Sequence, residues 1–349
     1  MLNNFSNSPV MVSVAILTYN QEAYIGKTIE SVLNQITDFD YEIVIGEDCS
    51  TDRTRSIVLD YQKNFPSKIR VVTSEQNLGL LRNTKNTYDA CYGKYLCPLG
   101  GDDLFSDKHK LSKQVELLES HEEYGLVHSN GYMVYDIDPE RNNKKYHTNS
   151  DFKIINNNLF ERLLAGNFII ASSACFRKSL YEKYINFENF YNLGFLMEDF
   201  PSWLELSKHT KFAYIDECLV TCLRRNNSVS RPTEASKRYK FIKSVYDVKF
   251  YYIKKYGCSE ELDAALLEKY HFFNLKFSFF LGQKEMAKEP FLYLVRKKGW
   301  NHLSIDIYLY YFSSLNSIFQ VLIKTIYKLK NIFIPKISFQ RLMNNEIRD

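Results

Sequence analysis

What this chain of 349 residues lacks narrows its class before any motif is read. None of its seven cysteines belongs to a C-x-x-C pair, which argues against a zinc ribbon or a disulfide framework and for reduced, buried thiols. No stretch reaches the run of about 18 strongly apolar residues that a spanning helix needs. Met1–Pro9 is polar, without the basic-then-apolar layout of a signal peptide, so a cytoplasmic protein is expected. Neither sign of charge dominates: 45 Lys and Arg face 41 Asp and Glu, so nucleic acid is not an expected partner. What is present is a 45% hydrophobic content, enough for one large domain or one domain with an appendage. Aromatic residues make up 15%, and much of that lies beyond residue 240.

From Val12 to Asp103 the chain alternates between two periodicities. Val12–Thr18 is short and β-branched, reads as a buried strand, and ends in Tyr19-Asn20. Asn20 is placed to cap a helix whose stripe is Ile25, Ile29, Val32, Leu33 and Ile36. A second strand, Tyr41–Ile45, runs into Gly46-Glu47-Asp48-Cys49-Ser50-Thr51-Asp52, where Ser50 or Thr51 starts a helix. A third, Ile69–Thr73, leads through Glu75–Gly79 to a helix ending near Cys91. A fourth, Tyr95–Leu99, delivers Gly100-Gly101-Asp102-Asp103. Four strand–helix alternations with long crossovers predict a doubly wound, mostly parallel α/β sheet, with its polar residues gathered at the strands' carboxyl edge, where such sheets bind ligands. Two hard carboxylates on a glycine turn suit Mg²⁺ or Mn²⁺ brought in with a diphosphate; an N-cap for the helix opened by Ser106-Asp107 is the competing reading.

Further on, Tyr124–Asn130 and Tyr132–Tyr135 read as a hairpin through Gly131, and Asp136–Asp151 as a polar loop. Phe168–Phe176 reads as another strand. Met197-Glu198-Asp199-Phe200 opens a helix with Trp203, Leu204 and Leu206, where Asp199 can be an ordinary cap.

In this order, Thr18-Tyr19-Asn20, Glu47-Asp48 with Ser50-Thr51-Asp52, Gln76-Asn77-Leu78-Gly79 and Gly101-Asp102-Asp103 resemble the successive signatures of family 2 glycosyltransferases of the GT-A fold. The similarity covers roughly residues 10 to 230. It implies a catalytic domain over 1–232, a helical C-terminal region over 233–349, and a nucleotide-sugar donor, usually a UDP-sugar. By position, Thr18 and Tyr19 would meet the base and Asp48 would accept its imide N–H. Strand alternation turns Glu47 to the opposite face, as a structural residue. Asp102 and Asp103 would hold the ribose and the divalent metal, Mn²⁺ or Mg²⁺, with Asp103 favoured for the metal. Family members often carry another acid where this chain has Gly100, a departure that bears on the metal geometry rather than on the fold.

Carried over in the same way, Asp199 is the catalytic base of an inverting displacement. Arg82 can face the diphosphate or solvent. Arg224, with Arg225 and Arg231, can pair with phosphate oxygens or form a plain basic loop. The acceptor implied is a glycan, lipid-linked in many relatives, in bacterial polysaccharide (O-antigen or capsule) or glycoconjugate synthesis.

From Glu234 long helical patterns take over. The stretch from Ile305 carries Leu309, Phe312, Leu315, Phe319, Leu322, Ile326 and Leu329 on one side, up to a stop at Pro335. Such a helix packs on the catalytic domain or lies in the membrane interface, which would give peripheral contact through 301–334. Two other functions are weighed. A nucleotidyltransferase would carry a Gly-rich basic loop where this chain has Leu17–Glu22. A catalytically degenerate GT-A domain, binding nucleotide sugar or serving assembly, would draw its support from Gly100 alone.

Overall fold

Strand β1 (Val12–Thr18) is the central strand of a parallel run, buried at nearly every position. A computed structural model describes residues 9–135, 144–146, 158–225, 228, 232–300, 303 and 305–315. Two compact units are drawn from it, one from Met1–Phe160 and Phe168–Ser228, the other from Glu161–Asn167 and Val229–Asp349.

In the first unit β1 is followed by α1 (Ile25–Leu33), β2 (Tyr41–Glu47), α2 (Thr54–Asn64), β3 (Ile69–Thr73), α3 (Leu80–Asp89) and β4 (Tyr95–Gly100). β2 pairs with β1 and β3, and β4 with β1, all in parallel, so the order is β3-β2-β1-β4. Such strands are covered on both faces, which is why they read as continuous apolar runs rather than alternating ones. The expected stripe of α1 packs into the core through Ile25, Ile29 and Val32. α2 begins at Thr54, because Asp52 accepts the Thr54 amide (2.9 Å) and caps the helix from two residues upstream.

The second half adds β5 (Leu104–Phe105), α4 (Lys110–Ser120), β6 (Tyr124–Tyr135), β7 (Lys144–Lys145), α5 (Leu159–Ala165), β8 (Cys175–Arg177), α6 (Lys178–Tyr184), α7 (Phe187–Asn192), α8 (Asp199–Leu206) and β9 (Lys211–Arg224). The sheet continues β4-β8-β6-β9-β5, with β7 on β6. β8 is antiparallel to both neighbours, while β6 and β9 run parallel. The expected hairpin at Gly131 is instead one continuous strand, β6. Gly131 is there for space: a Cβ would lie 2.8 Å from Val220 Cγ2 and 3.0 Å from Ile170 Cδ1. The expected strand Phe168–Phe176 is also revised. Its middle, Ala171–Ser173, is a 3-10 turn, and only Cys175–Arg177 joins the sheet.

The second unit is helical: α9 (Ala235–Tyr256), α10 (Glu260–Leu281), α11 (Glu285–Lys298) and α12 (Ile305–Leu315), joined by the end of α5. Leu275 and Phe279 of α10, Phe291 and Leu294 of α11, and Ile307 and Tyr310 of α12 share one core. Glu161 accepts the Ser259 amide (2.7 Å) and hydroxyl (3.1 Å), and Lys249 donates to the Ala165 carbonyl (3.1 Å). Among the described residues no helix is long and apolar enough to cross a membrane. The expected amphipathic stretch beyond 315, Pro335 and Arg231 lie outside the described residues.

Candidate active site

The carboxyl ends of β1, β2 and β4 are laced together through the backbone. The Asp48 amide donates to Thr18 O (3.1 Å) and the Gly101 amide to Leu17 O (2.9 Å). Thr18 is buried, and its hydroxyl donates to Gln21 Oε1 (2.8 Å). Tyr19, the next residue, is exposed. Asn20 does not cap α1. It adopts a left-handed conformation (φ 52°), accepts from the Thr51 amide (2.8 Å) and donates its own amide to Ser50 Oγ (3.0 Å), tying the β1 turn to the β2 turn.

Asp48 and Glu47 part company as alternation requires. Glu47 is fully buried, accepts the Ser50 amide (2.6 Å) and pairs with Arg55. The Asp48 carboxylate accepts the Leu78 (2.7 Å) and Gly79 (3.0 Å) amides, while Asn77 Nδ2 donates to the Asp48 carbonyl (2.9 Å). The turn Asn77–Gly79 is therefore wrapped around this carboxylate. A carboxylate has about four acceptor sites, so it retains capacity for a ligand N–H.

The Gly100–Asp103 turn follows β4. Gly101 allows close approach, since a Cβ would stand 2.4 Å from Gln21 Oε1 and 2.8 Å from Thr18 Oγ1. Asp102 is paired with Arg225 through Nε (2.8 Å) and Nη2 (2.7 Å). Asp103 accepts from the Ser172 hydroxyl and from the Leu223 amide (3.0 Å) on β9. Burial and the Asp102 carboxylate push Asp103 up to about 6, against the downward pull of Ser172, Arg224 and the Leu223 amide. Arg224 is partly buried, with its Nε 3.2 Å from Met133 Sδ.

Asp199 is the first residue of α8. With Glu198 it lines a small cavity shared with Pro98 of β4, Ala171, Tyr88 of α3 and Trp203. Ala171 adjoins Ser172, the partner of Asp103, so the 3-10 turn is common to both carboxylate groups. Burial and the neighbouring Asp199 carboxylate push Glu198 up to about 8. The side chain of Arg82 turns to α7, pairing with Glu188 (2.8 Å) and stacking on Tyr191 (3.8 Å). Ser172 carries no functional reading in the sequence, because the run containing it reads as a strand. The paired small residues Ser172-Ser173 inside an apolar run were the available signal.

A divalent cation fits this donor set. Among the described residues no three His, Cys, Asp or Glu side chains converge, but two carboxylates suffice where substrate phosphates complete the shell. The upward push that Asp102 exerts on Asp103 is one that a bound cation would relieve.

Comparison with known proteins follows the same ground. Residues 13–185 match the family model described as Glycosyl transferase family 2. An uncharacterised protein of Mycobacterium tuberculosis is 31% identical over 170 residues, 48% of this chain and 47% of that protein. The match thus spans about half the length of the mycobacterial relatives. Among solved structures, S. aureus TarS in complex with UDP-GlcNAc superposes with a TM-score of 0.51 at 17% identity, covering 88% of this chain and 80% of that one. The mannosyltransferase PcManGT of Pyrobaculum calidifontis, in complex with GDP-Man and Mn²⁺, gives 0.51 at 14% identity, with 90% and 87% covered. At these identities the likeness is one of fold.

Proposed function

Because the chain belongs to glycosyltransferase family 2 through residues 13–185, we propose that it transfers a sugar from a UDP-sugar to a hydroxyl of a glycan acceptor, with inversion at the anomeric carbon. The observation that carries this reading is the arrangement around one sheet edge. Asp48, Asp102 and Asp103 are held at the ends of β2 and β4, and Asp199 lines a cavity with Ala171, of the same turn whose Ser172 bonds Asp103.

Asp48 offers its remaining acceptor capacity to the uracil imide N–H, beside Thr18 and Tyr19. Asp102 and Asp103 hold the ribose and a Mn²⁺ or Mg²⁺ ion, which when bound neutralises charge on the departing diphosphate. Arg224 and Arg225 are the guanidinium groups near that diphosphate, and pairing to it would draw Arg225 from Asp102. Asp199 takes the proton of the acceptor hydroxyl as that oxygen bonds to the anomeric carbon. The bond to the diphosphate breaks on the opposite face and UDP leaves. Burial and the adjacent Asp199 carboxylate both favour the protonated form of Glu198. A lipid-linked bacterial glycan is the acceptor this reading favours, and the 301–334 segment is the part proposed to meet a membrane surface.

The test is thermal stability with UDP, with and without Mn²⁺, followed by UDP-sugar turnover. Saturation at about a hundred times the dissociation constant adds about 2.7 kcal/mol, and the metal-dependent part is expected to shrink in Asp103→Asn. Asp199→Asn is expected to keep the UDP shift and to lower turnover by about 10²–10⁴-fold. A UDP shift with no turnover of any UDP-sugar would instead favour a degenerate binding module.

A further inference from the structure

Large apolar side chains on the surface are ordinary when scattered and informative when they gather. In the first unit Tyr191, Leu193 and Leu196 are 44%, 41% and 41% exposed, all within the nine residues that end at Asp199. They are not loose. Phe187 and Phe190 of α7 and Phe195 and Met197 of this stretch are buried, with Phe190 in ring contact with both Phe187 (5.8 Å) and Phe195 (5.8 Å). The Phe195 amide donates to Phe190 O (3.0 Å), and Gly194 turns the chain with φ +74°. Tyr191 to Gly194 and Leu196 face outward from a loop pinned by Phe190, Phe195 and Met197, so its three large apolar side chains are presented within eight residues of the proposed base in sequence.

Charge lies at the rim of this surface. Glu188 is one turn before Tyr191 on α7 and shares its face. Arg82 stacks its guanidinium on the Tyr191 ring (3.8 Å) and pairs with Glu188 (2.8 Å). Both members of this pair remain well exposed, at 41% and 45% of the side chain. An aromatic ring backed on one face by a guanidinium and bordered by an exposed carboxylate matches a pyranose, whose C–H face is apolar and whose hydroxyls are both donors and acceptors. A hydrocarbon chain would strip water from the ion pair and return nothing to it.

We infer that Tyr191, Leu193 and Leu196 floor an acceptor subsite that takes a pyranose ring, stacked on the face of Tyr191 opposite Arg82, with hydroxyls directed to Glu188 at the rim. The inference rests on the glycosyltransferase reading and deepens it by naming the chemistry of the acceptor's terminal group. It also gives Arg82 a place on the acceptor side, where its partners in the fold already hold it.

The experiment is saturation-transfer NMR on the full chain with UDP present. The probes are the methyl glycosides of glucose, galactose, mannose and N-acetylglucosamine, with octyl glucoside beside them. At least one methyl glycoside is expected to receive saturation, strongest on one C–H face. Tyr191→Ala, and Tyr191→Leu, which keeps apolar area without a ring, should each weaken that binding about tenfold, while Tyr191→Phe retains it. The inference is overturned if no methyl glycoside binds, if binding survives in Tyr191→Ala, or if Tyr191-dependent saturation is confined to the octyl chain, as a lipid-binding surface would give. The UDP thermal shift on the same samples separates the two levels. A retained UDP shift without glycoside binding removes the subsite alone, and loss of the UDP shift counts against the donor reading whatever the glycosides do.

Discussion

Two carboxyls show how far a residue's type is legible in sequence and where its environment takes over. Asp199 and Glu198 are adjacent in the chain, yet the fold's burial of Glu198, added to the charge of Asp199, is what makes Glu198 a proton holder. Its value rises from 4.5 to about 8, so between those limits the folded state keeps a proton that the unfolded chain has released. Stability from this group is full below the unfolded value and declines as pH rises toward the folded one. Glu198→Gln removes the ionisation, so its melting temperature should fall less than the wild type's between about pH 5 and pH 8. Parallel melting curves across that range test it, and identical pH slopes would refute it. Cys49 is a second residue-scale case, because it holds a left-handed conformation (φ 58°) in the turn after β2. Its thiol makes weak contacts, to the Glu75 carbonyl (3.5 Å) and to the Arg55 guanidinium. Cys49→Gly should therefore stabilise the protein by about 1 kcal/mol, read by denaturant unfolding.

At the scale of elements, apolar period and turn chemistry located β1 to β4 and their helices, because strands covered on both faces announce themselves as short β-branched runs. Turn-like residues misled where they serve packing: Gly131 reads as a bend but lies within β6, against Val220 and Ile170. The turn Ala171–Ser173 was hidden for the opposite reason, being apolar enough to pass for strand. Its Ser172 ties that turn to Asp103 and to the Gly100 amide (3.3 Å), so Ser172→Ala is expected to reduce the Mn²⁺-dependent part of the UDP shift and, by leaving buried partners unpaired, to lower the stability of the free protein by about 1–3 kcal/mol. Gly101→Ala tests the Gly100–Asp103 turn more severely. Its Cβ meets Gln21 and Thr18 below normal contact distance, and the turn must move. Loss of most of the UDP shift in calorimetry is the expected outcome.

At the scale of the molecule, the helical unit includes a piece of chain from far upstream. Glu161–Asn167 belongs with it, tied by Glu161 to Ser259 and by Ala165 to Lys249. A truncation after residue 232 would follow the boundary read from the sequence and remove Ser259 and Lys249, the partners of Glu161 and Ala165. Losing these bonds costs about 1–3 kcal/mol, so the 1–232 fragment should melt lower than the full chain and tend to associate. Dye binding and sedimentation measure both effects. A fragment as stable and monomeric as the whole protein would show that α5 needs no such partners.

The sequence by itself determined the alternation of strand and helix, the gathering of acidic residues at one sheet edge, and the family resemblance. These are local properties, set by side-chain period and by short motifs at strand ends. Only the tertiary structure decided that Asp103 is held from Ser172 and Leu223, that Arg82 joins Glu188 and Tyr191, and that residues 161–167 pack with the C-terminal helices. Each of those contacts joins residues about 70 to 120 positions apart, or depends on which of two buried neighbours a side chain meets. Such choices are settled by close packing of the whole chain, and no window of sequence contains them.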